Sequence, residues 1–154
     1  MNEGMVRSNE SRLGKLYRSF SPASRAVIWF ALPFTLLDAL HYYTAGAAIA
    51  FSLPLLVLAY LVCGSIAARM ACVEGAQPDS FPRTGLNAAV RLWLVSTVIN
   101  TLLAFILGLT SLGITIVSSA FYLCLAPIHL AGSALTGRLG GWIYQKLYQR
   151  TGTC

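Results

Sequence analysis

Asp38 is the only Asp, Glu, Lys or Arg between Ala26 and Ala68. An isolated carboxyl in an apolar stretch can accept hydrogen bonds, hold a cation or exchange a proton. Placing an ionised Asp at the centre of a membrane helix costs about 2.5–3.5 kcal/mol, so such a residue must face protein and find a partner. Thr35, His41 and Tyr42 recur with Asp38 at i, i+3, i+6 and i+7, which puts all four on one polar stripe of a helix. Asn100 stands in a second apolar stretch at a similar depth by helical rise, and an Asp38–Asn100 hydrogen bond is the expected contact between the two stretches. Asp38, Asn100, Thr35 and His41 are therefore the candidate polar or ion site. Two chemistries fit it: a protonatable or cation-binding site in a small transporter or channel protomer, or polar glue between helices.

His41 and His129 invite a cofactor, because haem and chlorophyll-type pigments are held by membrane histidines. Their depths differ by roughly 12 Å by helical rise, too much for two axial ligands of one iron. Each alone could ligate a pigment, His129 with the small neighbours Ala126 and Ala131 beside it. No cofactor and no metal is predicted, with a haem or pigment on His129 or His41 the alternative.

No nucleophile–base constellation accompanies these residues. Ser118 and Ser119 have no acid or His at matching spacing, so an enzyme is not expected. The 4 cysteines form no C-x-x-C. Cys63 and Cys124 fall in apolar stretches; Cys72 and Cys154 fall on the reducing side, where disulfides are disfavoured, and are expected as free thiols.

The elements that must position these side chains follow from charge. Leu92 to Gly137 contains no Asp, Glu, Lys or Arg. As one helix it would be roughly 70 Å long, about twice a bilayer's hydrocarbon core, so it must cross, turn near Gly108-Leu-Thr-Ser-Leu-Gly113 and return. Ala26 to Ala68 is built alike, with a turn near Thr44-Ala-Gly46. Hydrophobic residues make up 56% of the chain and charged residues 10%, against about 25% charged in a soluble domain. The fold class is all-α and multi-pass. Four transmembrane helices form two antiparallel hairpins, with spans at about 26–43, 47–68, 86–109 and 114–135.

All 11 basic residues precede the first hairpin, follow the second, or lie between the two. The positive-inside rule places both termini on the cytoplasmic, matrix or stromal side of a bacterial plasma membrane or organellar inner membrane. The same charge favours anionic lipid; nucleic acid is not an expected partner. In the N-terminal segment 1–24, Leu13, Leu16, Tyr17 and Phe20 line one face of an amphipathic interfacial helix, and Ser21-Pro22 reads as the N-cap of the first span. Residues 25–137 form the transmembrane domain. In the C-terminal segment 138–154, after Gly137, Gly140 and Gly141 loosen the helix, a second interfacial helix is expected with Tyr144 and Tyr148 at headgroup level.

Small residues recur at close-packing spacing. Ala59, Cys63 and Ala67 form one stripe; Ser96, Ala104 and Gly108 form another, with Asn100 among them. These stripes lead to the first functional expectation: a non-catalytic accessory, assembly or scaffolding subunit of a membrane complex or homo-oligomer. The alternative is a transporter or channel protomer for protons, ions or a small solute using Asp38. The second alternative is a haem- or pigment-binding subunit.

Overall fold

The computed structural model describes residues 12–43, 49–108 and 112–154, and these are all-helical. The turns expected near residues 44–46 and 109–111 and the side chains of His41, Ala104, Gly108, Ser118, Ser119 and Cys124 lie outside the described residues. Five helices follow in order: α1 (Arg12–Ser19), α2 (Pro22–Tyr43), α3 (Ile49–Val73), α4 (Phe81–Gly108) and α5 (Leu112–Thr151). Leu53–Val73 and Pro78–Leu103 are each long and apolar enough to cross a membrane. Leu13–Ser19 and Pro22–Ala39 reach that measure only as a pair, and they are bent by 117° where they meet.

The bend has a local cause. Ser21 Oγ accepts the backbone N–H of Ser24 at 3.3 Å, and Pro22 takes the first helical position, so α2 starts afresh with its own cap. α1 is held beside it by the Trp29 indole N–H, which donates to Tyr17 Oη at 2.8 Å. Leu13 and Leu16 of α1 remain exposed. The start of α2 is tied to the rest of the fold by charge: Arg25 pairs with Glu74 after α3, and Arg91 of α4 donates to Ser21 and Ser24.

α3 ends in a Schellman turn. Gly75 adopts φ 83°, its N–H donates to Cys72 O at 2.8 Å, and Ala76 N–H donates to Ala71 O at 3.0 Å. A single 3-10 turn, Pro78–Ser80, then leads directly into α4. The connection is shorter than the 70–85 loop expected, because both flanking helices run on past their apolar cores.

The core is formed where α2, α3 and α4 meet. Ala26, Phe34, Cys63, Ala67, Ala88, Ala89 and Leu92 are buried there, and the Phe34 and Tyr60 rings pack at 4.7 Å. Cys63 and Ala67 of the small-residue stripe belong to this core, with Ala59 packed against it. That stripe brings helices of this chain together.

α5 departs most from expectation. It is one helix of 40 residues in which Pro127 is accommodated and the glycines 137, 140 and 141 do not loosen anything. They face α3 and α4 at backbone contact. A Cβ on Gly64 or Gly85 would collide with the Gly137 carbonyl, one on Gly140 with Leu61 O, and one on Gly141 with Phe81 O. Ser65 Oγ donates across the seam to Gly140 O at 3.0 Å. Helix continuity survives because tertiary packing outweighs the roughly 1 kcal/mol per residue that glycine costs in a helix. Further along, Tyr144 and Tyr148 close over Phe81 at 5.6 and 5.9 Å.

The same convergence overturns the expectation of free thiols at Cys72 and Cys154. They form a disulfide with Cα atoms 5.9 Å apart. Gly152, at φ 66°, ends α5, and Arg69 Nε donates to Cys154 O at 3.3 Å beside the end of α3. The packing of α5 against α3 supplies a proximity that 82 residues of separation hide in the sequence.

The seam makes a paired prediction. Gly141→Ala should lower stability by about 1–3 kcal/mol through overpacking against Phe81 and Pro82. Gly132→Ala, whose Cβ meets open space, should be neutral or stabilising by up to about 1 kcal/mol. Thermal unfolding in detergent reads both, and equal losses would contradict the seam.

Candidate functional site

The residues nearest to chemistry sit where α2 and α4 run side by side. Asp38 is 9% exposed, and Ser96 and Asn100, one turn apart on α4, are 1% and 6% exposed. Ser96 Oγ donates to Asp38 Oδ2 at 2.6 Å, and Asn100 Nδ2 donates to the same oxygen at 2.9 Å. Asn100 Nδ2 also lies 3.3 Å from Ser96 Oγ, so the three side chains form one closed network. The expected Asp38–Asn100 hydrogen bond is thus present. Ser96, read from the sequence as a packing residue, supplies the shorter bond. Its i, i+4 relation to Asn100 was the signal that both point at the same partner.

Thr35 is buried one turn before Asp38, but its hydroxyl donates back to Ala31 O at 2.6 Å. That local bond takes Thr35 out of the Asp38 network. Asn100 Oδ1 is buried without a hydrogen-bond partner among the described residues. An acceptor in that position can take a donor beyond those the described residues supply.

A cavity of about 190 Å³, open on the side of the exposed Leu53, Val57, Ile128 and Gly132, has Asp38 in its lining. Asp38 forms its polar corner, and Leu53, Leu56, Val57 and Tyr60 of α3 form one wall. Trp93 of α4 and Ile128, His129, Gly132, Ser133 and Thr136 of α5 complete the lining. His129, for which a lone pigment ligand was only the alternative in the sequence, lines the same cavity as Asp38. Tyr60 and Trp93 entered no sequence-level site, because only the packing of α3 and α4 turns them toward Asp38. Ser133 and Thr136 bond the Leu130 and Gly132 carbonyls of their own helix, at 2.9 and 2.6 Å. The lining is therefore mostly apolar with few polar groups, the composition of a ligand site.

Among the described residues no group of three or more His, Cys, Asp or Glu could hold a metal ion. A larger groove of about 340 Å³ at the basic end is lined by Arg25, Ile66, Arg69, Met70, Val73 and Glu74, but there Arg25 is already paired with Glu74. No protein-family model, curated protein or solved structure matches the chain.

The network predicts coupling. In a double-mutant cycle, Asp38→Ala and Asn100→Ala should interact by about 0.5–1.5 kcal/mol, the range for hydrogen bonds between membrane helices. Thr35→Val should show no coupling to either. Additive losses at Asp38 and Asn100 would mean that the bond contributes nothing.

Proposed function

We propose that this chain is a small multi-pass membrane protein that binds and passes a small solute or proton at Asp38. In this reading α2, α3, α4 and the first part of α5 are four spans. Both termini and the basic residues face the cytoplasmic, matrix or stromal side of a bacterial plasma membrane or organellar inner membrane, where Arg69 and its neighbours meet anionic lipid. One observation carries the reading: a buried carboxyl, held by Ser96 and Asn100, forms the corner of a cavity rather than ending in packed apolar side chains. A carboxyl kept only as glue between helices needs no space beside it. Ionisable groups within membrane spans mark ion and proton paths, and Asp38 shares its cavity with the titratable side chains of His129 and Tyr60. The chemistry requires no covalent step, and none of these residues is assigned a catalytic role.

A second reading, an accessory or scaffolding subunit, is favoured by the outer surface. α2 exposes Ile28, Trp29, Leu32 and Leu36, and α4 exposes Leu94, Val98, Leu102, Phe105 and Ile106. These are large side chains suited to lateral neighbours as well as to lipid. The native mass after gentle extraction separates the readings: a large heteromeric assembly supports the second, a monomer or small homo-oligomer the first.

For the first reading, the purified protein in vesicles should show pH-dependent flux that Asp38→Asn abolishes while expression and folding persist. Wild-type flux in that variant would end it.

A further inference from the structure

We propose that the cavity beside Asp38 is a binding site for a small organic ammonium ion, a protonated amine carrying a compact apolar group. The inference rests on the reading of Asp38 as a solute site and names the class of solute. Four features of the lining select this chemistry. The Asp38 carboxyl supplies the one acidic side chain of the lining, and an ammonium N–H donating to it forms a charge-assisted hydrogen bond. Tyr60 and Trp93 bring two aromatic rings to the lining, and such rings attract cations through their quadrupole. Leu53, Leu56, Val57 and Ile128 make the remaining surface apolar, which suits an alkyl or cycloalkyl group and leaves a bare inorganic cation short of oxygen ligands. The hydroxyls of Ser133 and Thr136 donate within their own helix, so only their lone pairs can meet a donor from the cavity.

Size narrows the class further. Drug-sized ligands occupy pockets of about 300–1,000 Å³, and this cavity is about 190 Å³. A compact amine fits; an extended polycyclic one does not.

Gly132 lies on the exposed side of the lining. Gly64, Gly85, Gly137, Gly140 and Gly141 each sit where a Cβ would strike neighbouring backbone, so close helix packing accounts for them. A Cβ on Gly132 would meet nothing within 4 Å, and its backbone is ordinary helix. Glycine there costs helix stability without allowing any close approach. It leaves the open side of the cavity without a side chain, one turn from His129 and beside Ser133.

The test is calorimetric titration of the full-length protein in nanodiscs with cyclohexylammonium, and with cyclohexanol as the neutral molecule of similar shape. The expected result is saturable binding of cyclohexylammonium and at least about tenfold weaker binding of cyclohexanol, the difference one charge-assisted hydrogen bond supplies. Asp38→Asn should lose the preference. Because that variant disturbs the Ser96–Asn100 network, Gly132→Leu is the companion. It fills the cavity wall, leaves the network intact, and should abolish binding without lowering thermal stability. Equal binding of cyclohexanol overturns the ammonium class, and binding that survives Gly132→Leu overturns the location. Absence of binding with Asp38-dependent proton flux intact overturns this inference and leaves the solute-site reading standing. Absence of both removes both.

Discussion

The arrangement depends on one close contact, the backbone-to-backbone approach of α5 to α3 and α4 at Gly137. There the Gly137 carbonyl occupies the space that a side chain on Gly64 or Gly85 would need, and Gly140 and Gly141 extend the contact to Leu61 and Phe81. Glycines let the backbones approach closely, and dispersion and weak polar contacts grow as they do. The seam therefore sets the spacing of three helices. It also sets what lies one to two turns away on α5: Ser133, Gly132 and His129, which line the cavity. Small residues at one level of α5 hold the helices together, and a bare glycine at the next level leaves a gap.

α2 enters this framework by a different route. It meets α3 and α4 through Ala26, Phe34 and their neighbours, and its polar end is fixed by Arg91 on Ser21 and Ser24 and by Arg25 on Glu74. Those ties determine the register of α2 against α4, and register decides whether Asp38 meets Ser96 and Asn100. A slip of one residue would rotate Asp38 by about 100° around its helix, away from both donors. The exposed ion pair adds little to stability. Its consequence is geometric: the carboxyl about four turns further along arrives opposite two donors.

How much of this was legible in the sequence differs by residue. Asp38 stood out because a charge in an apolar run is rare, and its depth by helical rise pointed to Asn100, which the structure places at 2.9 Å. The cap at Ser21-Pro22 was also legible, since capping is written in adjacent residues. Ser96 was recognised for its spacing but assigned to packing, because a serine at helical spacing serves either purpose until its neighbour is known. The glycines 137, 140 and 141 misled. Counted by propensity they weaken a helix, and nothing local reveals that Gly64 and Gly85, far away in sequence, stand ready to receive them. Cys72 and Cys154 failed for the same reason: an 82-residue separation hides the proximity that makes the bond. Local signals gave the elements and their caps, while the errors at the glycines and the cysteines concerned which distant backbones approach.

That pattern bears on how the cavity should be understood. Tyr60 comes from α3, Trp93 from α4, His129 from α5 and Asp38 from α2, so no helix carries the site and no short motif could announce it. Such a site is only as well defined as the packing that assembles it. Asp38 is held by two hydrogen bonds across the α2–α4 contact, whereas His129 and Gly132 depend on the glycine seam for their position. The two halves of the lining are thus positioned by independent constraints, one polar and directional, the other steric.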